Sequence, residues 1–296
     1  MKPPMANAVN KPNVFKNPPA VGQRVFDRYI LKRPLGEGGM GVVWLAHDRI
    51  LEQPVALKFL AQHLVNNHHE VERLKHETRR SLQLSHPNIV RIHDFVQGNG
   101  GAAVAMEYVD GWSLWTMKVD KPGQRFEAHE IAPWIRDLCA ALDYAHNGAR
   151  IVHRDLKPSN LILNSRGQLK VTDFGLSRDI QSASSAAAGH PPIVGTDWYM
   201  SPQQWTGEAA AVADDVYSLG ATIYELLTGK PPFHEGDVFT QLHEVIPPSM
   251  TERLFEFGVE DTHIPLEWED TVAACLAKET DRRPVSASDV AKRLGL

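Results

Sequence analysis

The feature that most constrains this fold is a glycine-rich segment, Leu35–Val43, which reads Leu-Gly-Glu-Gly-Gly-Met-Gly-Val-Val. β-branched and aromatic residues follow it, so the glycines are predicted to join two strands of a β-hairpin. A dinucleotide-binding loop of similar spacing would be followed by a helix and by an acidic residue about 20 positions further on. Here a lysine, Lys58, lies at that distance instead, within the β-like run Val55–Leu60. Taken alone, the segment fits either a plain hairpin turn or a loop whose backbone N–H groups cradle phosphate.

Composition excludes several classes of protein. The chain has 296 residues, of which 43% are hydrophobic and 23% charged, as in a globular protein and unlike a disordered chain. Its net charge of −5 predicts no global attraction to nucleic acid or anionic lipid. The sequence contains no apolar run of the roughly 18 residues that a membrane-spanning helix needs. Cys139 and Cys275 are too few for a disulfide framework, so we expect two buried thiols in a cytoplasmic protein or in the cytosolic domain of a longer one.

The residue pattern divides the chain into a tail and two parts. Residues 1–22 are rich in proline and show no periodicity, which predicts a flexible tail. Residues 23–109 contain five short β-like runs and one helical pattern, which predict a small sheet with one helix. Residues 110–296 are mainly helical, and the strongest helical pattern runs from Val216 to Leu227 and ends before Gly229. The predicted fold class is therefore α+β.

Two motifs in the second part carry the most specific signal. His153–Asn160 reads His-Arg-Asp-Leu-Lys-Pro-Ser-Asn, and Asp173–Gly175 reads Asp-Phe-Gly. Together with the glycine segment, Lys58 and Asp215–Gly220, they resemble the protein kinase superfamily in its bacterial eukaryotic-type (Hanks-type) serine/threonine branch. The resemblance covers residues 26–292. It implies a bilobal protein-kinase fold, with a five-stranded antiparallel sheet and one helix in the small lobe and a larger, mainly helical second lobe.

The resemblance also implies an ATP site. Lys58 would pair with the α- and β-phosphates, and because a buried lysine needs an anionic partner, we expect a helix glutamate beside it. The family spacing favours Glu77 for this role, with Glu70 and Glu72 as alternatives. The residues implied to contact the nucleotide are Gly36, Glu37, Gly38, Gly39, Met40, Gly41, Val43, Ala56, Lys58, Met106, Glu107, Val109, Asn160 and Asp173.

The same resemblance implies the chemistry. Asp155 would orient the substrate hydroxyl and accept its proton, and Lys157 would neutralise the γ-phosphate during transfer. Asn160 and Asp173 would bind Mg²⁺, or Mn²⁺ as a substitute, because hard cations prefer oxygen donors. The implied function is a protein kinase that phosphorylates Ser and Thr residues of proteins, including a second copy of itself in a homodimer. An ATP-binding pseudokinase that acts as a scaffold is the alternative.

Outside the activation loop, Leu176–Pro202, two positions depart from the family pattern. Gln203 stands where most kinases have a glutamate that pairs with an arginine, here Arg283. A neutral amide makes a weaker hydrogen bond than a carboxylate, which predicts a looser brace in the second lobe. Ser81 stands one turn after Glu77, where many kinases have a larger apolar residue, so weaker packing of that helix is expected.

The resemblance also implies how the catalytic segment is braced and regulated. Asp215 is expected to accept hydrogen bonds from the backbone around His153 and Arg154. Arg154 is the type of residue that holds a phosphorylated activation loop, because phosphate adds charge that a guanidinium can bind. Thr196 is expected to help position the substrate.

Overall fold

The computed structural model describes residues 19–38, 41–98, 101–174, 197–260 and 263–296. These residues form two compact units. The first contains the described residues up to Thr78 together with Ile92–Tyr108, and the second contains Arg79–Arg91 and Val109–Leu296. Of the predicted tail, residues 1–18 lie outside the described residues.

The first unit is built on an antiparallel sheet of six strands in the order β1-β2-β3-β4-β6-β5. Its strands are β1 (Arg24–Val25), β2 (Tyr29–Gly38), β3 (Gly41–Asp48), β4 (Gln53–Leu60), β5 (Ile92–Gly98) and β6 (Gly101–Glu107). The sequence predicted five strands. The additional strand is β1, whose two residues pair with Tyr29 and Ile30 and are too few to show an alternating pattern.

One face of this sheet is apolar and carries the core of the first unit. Its buried side chains include Tyr29, Trp44, Leu57 and Phe59, which follow the alternation that strand geometry imposes. Two helices follow β4, where the sequence predicted one: the four-residue α1 (Gln62–Val65) and α2 (His68–Ser81). One turn of helix leaves no periodic pattern, which is why α1 was not predicted.

The second unit is mainly helical, as predicted. Its helices are α3 (Leu114–Val119), α4 (Ala128–Tyr144), α5 (Pro202–Trp205), α6 (Val212–Thr228), α7 (Val238–Glu244), α8 (Met250–Glu256), α9 (Leu266–Cys275) and α10 (Ala287–Arg293). The second unit also contains a small three-stranded sheet. Its strands are, in spatial order, β7 (Gly111–Ser113), β8 (Leu161–Asn164) and β9 (Leu169–Val171). None of the helices in the described part of the chain has the length and apolarity needed to cross a membrane.

Helix α6 forms the centre of the second unit, because every residue from Asp214 to Thr228 is buried. It ends where the sequence predicted, at Gly229, whose φ of 91° is readily adopted by glycine. At Gly220 an added Cβ would lie 2.5 Å from the Cβ of Cys275, so glycine permits α6 and α9 to pack closely. Cys275 and Cys139 are both free and buried, which confirms the predicted thiols.

The pairing of Gln203 with Arg283 is confirmed. Arg283 is only 3% exposed, and its guanidinium donates to Gln203 Oε1 at 2.7 Å and to the carbonyl oxygens of Ala213, Ala277 and Lys278. These four acceptors are neutral. Burial therefore lowers the pKa of Arg283 despite the favourable charges around it.

Candidate active site

The residues of the His153–Asn160 motif converge on the carboxylate of Asp155. Lys157 Nζ donates to Asp155 Oδ1 at 2.8 Å, and Asn160 Nδ2 donates to Oδ2 at 3.1 Å and to the main-chain oxygen of Asp155 at 2.7 Å. A 3₁₀ turn over Pro158–Asn160 brings Asn160 back towards Asp155, and β8 starts directly after it. The second unit thus brings three predicted site residues together within hydrogen-bonding distance.

Asp215 holds the backbone of this segment, as predicted. It lies in the first turn of α6 with no exposed surface, and its carboxylate accepts hydrogen bonds from the N–H groups of His153 at 2.7 Å and Arg154 at 2.8 Å. Arg154 has a φ of 66°, an unusual value for a non-glycine residue. The carbonyl of Arg154 is also held, by Gln204 Nε2 at 2.7 Å. The strained peptide that precedes Asp155 is therefore fixed on both sides.

The sequence analysis missed His146, which is the third partner of Asp215. His146 lies just after α4 and is buried, and its Nε2 is 2.7 Å from Asp215 Oδ2. Burial opposes ionisation of Asp215, but the hydrogen bond and charge of His146, together with the N–H of Arg154, outweigh burial and lower its pKa. The only sequence signal for this contact was a histidine directly after the apolar helical pattern of α4.

His153 connects the catalytic segment to Asp173. Its Nδ1 accepts a hydrogen bond from the N–H of Asp155 at 3.2 Å, so Nε2 carries the proton that is donated to the carbonyl of Thr172 at 2.8 Å. The N–H of Thr172 donates to the carbonyl of Asn160 at 3.0 Å. Asp173, with a φ of 67°, directly follows this doubly held residue. The structure therefore places Asp173 in the same part of the second unit as Asp155 and Asn160.

A buried ion pair fixes the chain that leads into α5. Glu225 near the end of α6 pairs with Lys118 of α3 and accepts a hydrogen bond from the hydroxyl of Tyr199. The carbonyl of Tyr199 accepts from Ser218 Oγ at 2.7 Å. All four side chains are buried. The segment just before α5 is thus anchored to α6, through contacts between residues too distant in sequence for any local pattern to predict.

In the first unit, the glycine segment joins β2 and β3 as the sequence predicted. Gly36 pairs with Val43, Glu37 with Val42 and Gly38 with Gly41. Gly39 and Met40, both predicted to contact nucleotide, lie outside the described residues. The pairing confirms the predicted hairpin, and the binding of phosphate by its backbone stays a prediction.

Replacing Gly41 by alanine should destabilise the protein by about 2 kcal/mol, because two effects act together. A Cβ there would lie 1.8 Å from the carbonyl oxygen of Phe59, and the φ of Gly41 is 139°. Gly36 provides a matched control, since a Cβ at that position meets no atom within 4 Å. Chemical denaturation should show a clear loss for Gly41→Ala and a change below about 0.5 kcal/mol for Gly36→Ala. Equal losses for both variants would contradict the steric explanation.

The sheet register gathers several predicted nucleotide contacts on one face. Val43 lies opposite Lys58, and Ala56 lies opposite Met106 on the neighbouring strand. Since paired residues point to the same side and residues two apart share a face, all four side chains lie on the face opposite the apolar core. Lys58 is buried there with 8% of its surface exposed.

The glutamate proposed as the partner of Lys58 is also buried. Glu77 is 9% exposed on α2. The two alternatives form ion pairs within the helix, Glu70 with Arg73 at 2.6 Å and Glu72 with Lys75 at 2.7 Å. A buried carboxylate is stabilised by a nearby cation, so the burial of Glu77 agrees with its predicted role, which stays a prediction.

The remaining predicted residues are distributed as follows. Glu107 ends β6 opposite Val55, and Val109 belongs to the second unit. Gly175 and Thr196 lie outside the described residues, as do residues 176–196 of the loop expected to carry regulatory phosphate.

The sequence is similar to those of known proteins along most of its length. A family model described as the protein kinase domain matches residues 29–293. The serine/threonine-protein kinase PknB of Mycolicibacterium smegmatis is 34% identical over 278 residues, which cover 90% of this chain and 42% of that protein. The serine/threonine-protein kinase PrkC of Bacillus subtilis is 36% identical over 214 residues, which cover 72% of this chain and 32% of PrkC. The chain thus spans about two fifths of PknB and about a third of PrkC.

A solved structure shows the same fold. The PknI kinase domain of Mycobacterium tuberculosis superposes with a TM-score of 0.72 at 26% identity, covering 94% of this chain and 98% of that domain. The order of the motifs, the register of the sheet and the match along nearly the whole sequence all lead to one assignment. The chain belongs to the protein kinase family.

Proposed function

We propose that this chain is an ATP-dependent serine/threonine protein kinase, which transfers the γ-phosphate of ATP to Ser and Thr hydroxyls of proteins. The observation that carries the proposal is the set of contacts among Asp155, Lys157 and Asn160. Membership of the family supports it, as do the relatives that are themselves named serine/threonine-protein kinases.

Asp155 and Lys157 have complementary tasks in this proposal. The Asp155 carboxylate orients the acceptor hydroxyl and takes its proton, a task for which its fixed position is suited. Lys157 Nζ, 2.8 Å from Asp155 Oδ1, supplies positive charge next to the nucleophile. A phosphoryl group in transfer carries negative charge spread over its oxygens, so a fixed ammonium group lowers the barrier by electrostatic stabilisation.

The donor set of the second unit fits a divalent cation. Asn160 directs its amide nitrogen towards Asp155, which leaves the amide oxygen as its ligand atom. Asp173 offers a carboxylate, and oxygen donors of both kinds suit Mg²⁺ or Mn²⁺. Two protein ligands suffice, because Mg²⁺ in such sites keeps several waters and binds substrate phosphates. When bound, the cation would neutralise phosphate charge, and Asn160 and Asp173 would hold it in place.

The first unit supplies the residues proposed to bind ATP. The glycine hairpin offers backbone N–H groups to the phosphates, and Lys58, with Glu77 as its partner, holds the α- and β-phosphates. Ala56 and Met106 are buried side chains suited to an adenine ring, while the backbone of Glu107 would bind its edge. We extend the proposal to autophosphorylation, in which a second copy of the chain serves as substrate.

Transfer of labelled phosphate from ATP to a generic basic protein tests the proposed function. We expect transfer in Mg²⁺, slower or equal transfer in Mn²⁺, and none in excess EDTA. Phosphoamino-acid analysis should find phosphoserine and phosphothreonine but no phosphotyrosine. Nucleotide binding without transfer, over a broad peptide array, would instead support the scaffold alternative. A rate of self-labelling that rises with protein concentration would support phosphorylation between copies.

A further inference from the structure

Ser81 makes a hydrogen bond to a residue far away in the sequence, which the sequence analysis did not predict. It is the last residue of α2 and is 2% exposed. Its hydroxyl donates a hydrogen bond to the carbonyl oxygen of Phe174 at 3.0 Å, and both residues belong to the second unit. The sequence predicted weaker packing at Ser81 because its side chain is small. The structure shows that this small side chain makes a buried hydrogen bond.

The peptide that Ser81 holds directly follows Asp173. Asp173 has a φ of 67°, an uncommon conformation for a non-glycine residue that costs free energy unless its surroundings favour it. On the N-terminal side, Thr172 is held by His153 and by the main chain of Asn160. On the C-terminal side, the Phe174 ring packs edge-on against His153 with centroids 4.6 Å apart. The hydrogen bond from Ser81 adds a directional restraint on that side, because it fixes the Phe174 carbonyl.

We propose that Ser81 is a positioning residue for the metal-binding carboxylate of Asp173. Its hydroxyl fixes the Phe174 peptide and so keeps the Asp173 backbone in its left-handed conformation. Without this hydrogen bond, the backbone of Asp173 samples other conformations, and its carboxylate spends less time in the geometry that binds a cation. This inference rests on the proposed function, since it assigns Asp173 the role of metal ligand.

Thr78 provides the matched control on the same helix. It is 1% exposed, and its hydroxyl donates to the carbonyl of Leu74 at 2.7 Å, within α2 itself. Thr78→Val removes a buried hydroxyl of this helix and leaves Phe174 untouched. Ser81→Ala removes the hydroxyl that reaches Phe174, with almost no change in size. Any general effect of deleting a buried hydroxyl from α2 should appear in both variants.

Two measurements on the full chain test the proposal. Hydrogen exchange of the protein without nucleotide or metal should be about fivefold faster in the peptide covering Lys170–Phe174 of Ser81→Ala, and unchanged in Thr78→Val. In phosphate transfer at saturating ATP, the Mg²⁺ concentration for half-maximal rate should rise about fivefold in Ser81→Ala only. A fivefold change corresponds to about 1 kcal/mol, the net contribution of one such hydrogen bond.

The possible results separate this inference from the proposed function. Faster exchange with unchanged Mg²⁺ dependence would overturn it, because the hydrogen bond would then not position Asp173. Equal behaviour of the two variants in both measurements would overturn it as well. If the wild type transfers no phosphate, the proposed function fails. Direct titration of each variant with Mn²⁺, followed by electron paramagnetic resonance, then decides whether Ser81→Ala weakens metal binding about fivefold.

Discussion

Asp155→Asn should lower kcat for phosphate transfer by about 10³-fold or more while nucleotide binding is retained. The substitution keeps the shape of the side chain but removes the group that accepts the proton of the acceptor hydroxyl. It also removes a charge-assisted hydrogen bond, because Lys157 Nζ lies 2.8 Å from Asp155 Oδ1. The amide must present its NH₂ group either to Lys157 or to the Nδ2 of Asn160, and both are donors. The measurements are labelled-phosphate transfer and the shift in Tm caused by MgATP.

A second aspartate controls for the loss of one negative charge. Asp270 on α9 is exposed, so Asp270→Asn should retain the wild-type rate and the wild-type nucleotide affinity. If Asp155→Asn keeps more than about a tenth of the wild-type rate, Asp155 is not the proposed base. An inactive wild type that still binds nucleotide would point instead to the scaffold.

Asp215→Asn should lower the free energy of unfolding by about 3 kcal/mol and slow phosphate transfer at least about tenfold. Asp215 has no exposed surface. It accepts three hydrogen bonds, from His146 Nε2 and from the N–H groups of His153 and Arg154. An asparagine can accept on only one of its two side-chain atoms, so at least one donor is left facing an NH₂ group. The backbone before Asp155 then loses its brace, which is why activity should fall together with stability.

The pH dependence of the loss of stability in Asp215→Asn identifies the cause of that loss. The pKa of Asp215 lies below its ordinary value, so its ionised form stabilises the fold above the unfolded-state pKa of about 3.9. That contribution is lost as the pH falls through the lower, folded-state pKa. The difference in stability between wild type and Asp215→Asn should therefore be complete at pH 7 and shrink below about pH 4. A difference that does not change with pH would show that ionisation of Asp215 is not responsible.

The control variant Asp48→Asn distinguishes loss of the hydrogen bonds from Asp215 to the catalytic segment from a general loss of stability. It is 1% exposed in the first unit, where Arg28 binds both of its oxygens at 2.7–3.0 Å. Asp48→Asn should destabilise the protein without changing kcat per folded molecule. If it slows transfer as much as Asp215→Asn does, the effect on catalysis comes from reduced stability and not from the catalytic segment.

Most local features of this protein could be predicted from the sequence, although the two-residue β1 and the four-residue α1 could not. The glycine segment indicated a hairpin because strand-forming residues follow it, and the observed pairing of Gly36 with Val43 agrees. The helical pattern from Val216 to Leu227 lies within α6. Such features depend on residues near one another in the chain, whose periodicity and turn preferences are visible without coordinates. The motif residues were recognised because each motif is a short contiguous run that resembles the protein kinase family.

Contacts between distant segments were decided only by the tertiary structure. The identity of Asp173 was predictable, but its left-handed backbone was not, because its neighbours Thr172 and Phe174 contact the distant residues His153 and Ser81. His146 beside Asp215, and Lys118 with Tyr199 around Glu225, join residues far apart in sequence. A buried polar group takes whichever partner the fold brings within reach, and one sequence contains no local signal for that choice. Local chemistry therefore determined which residues could act, and long-range packing determined how each of them is held.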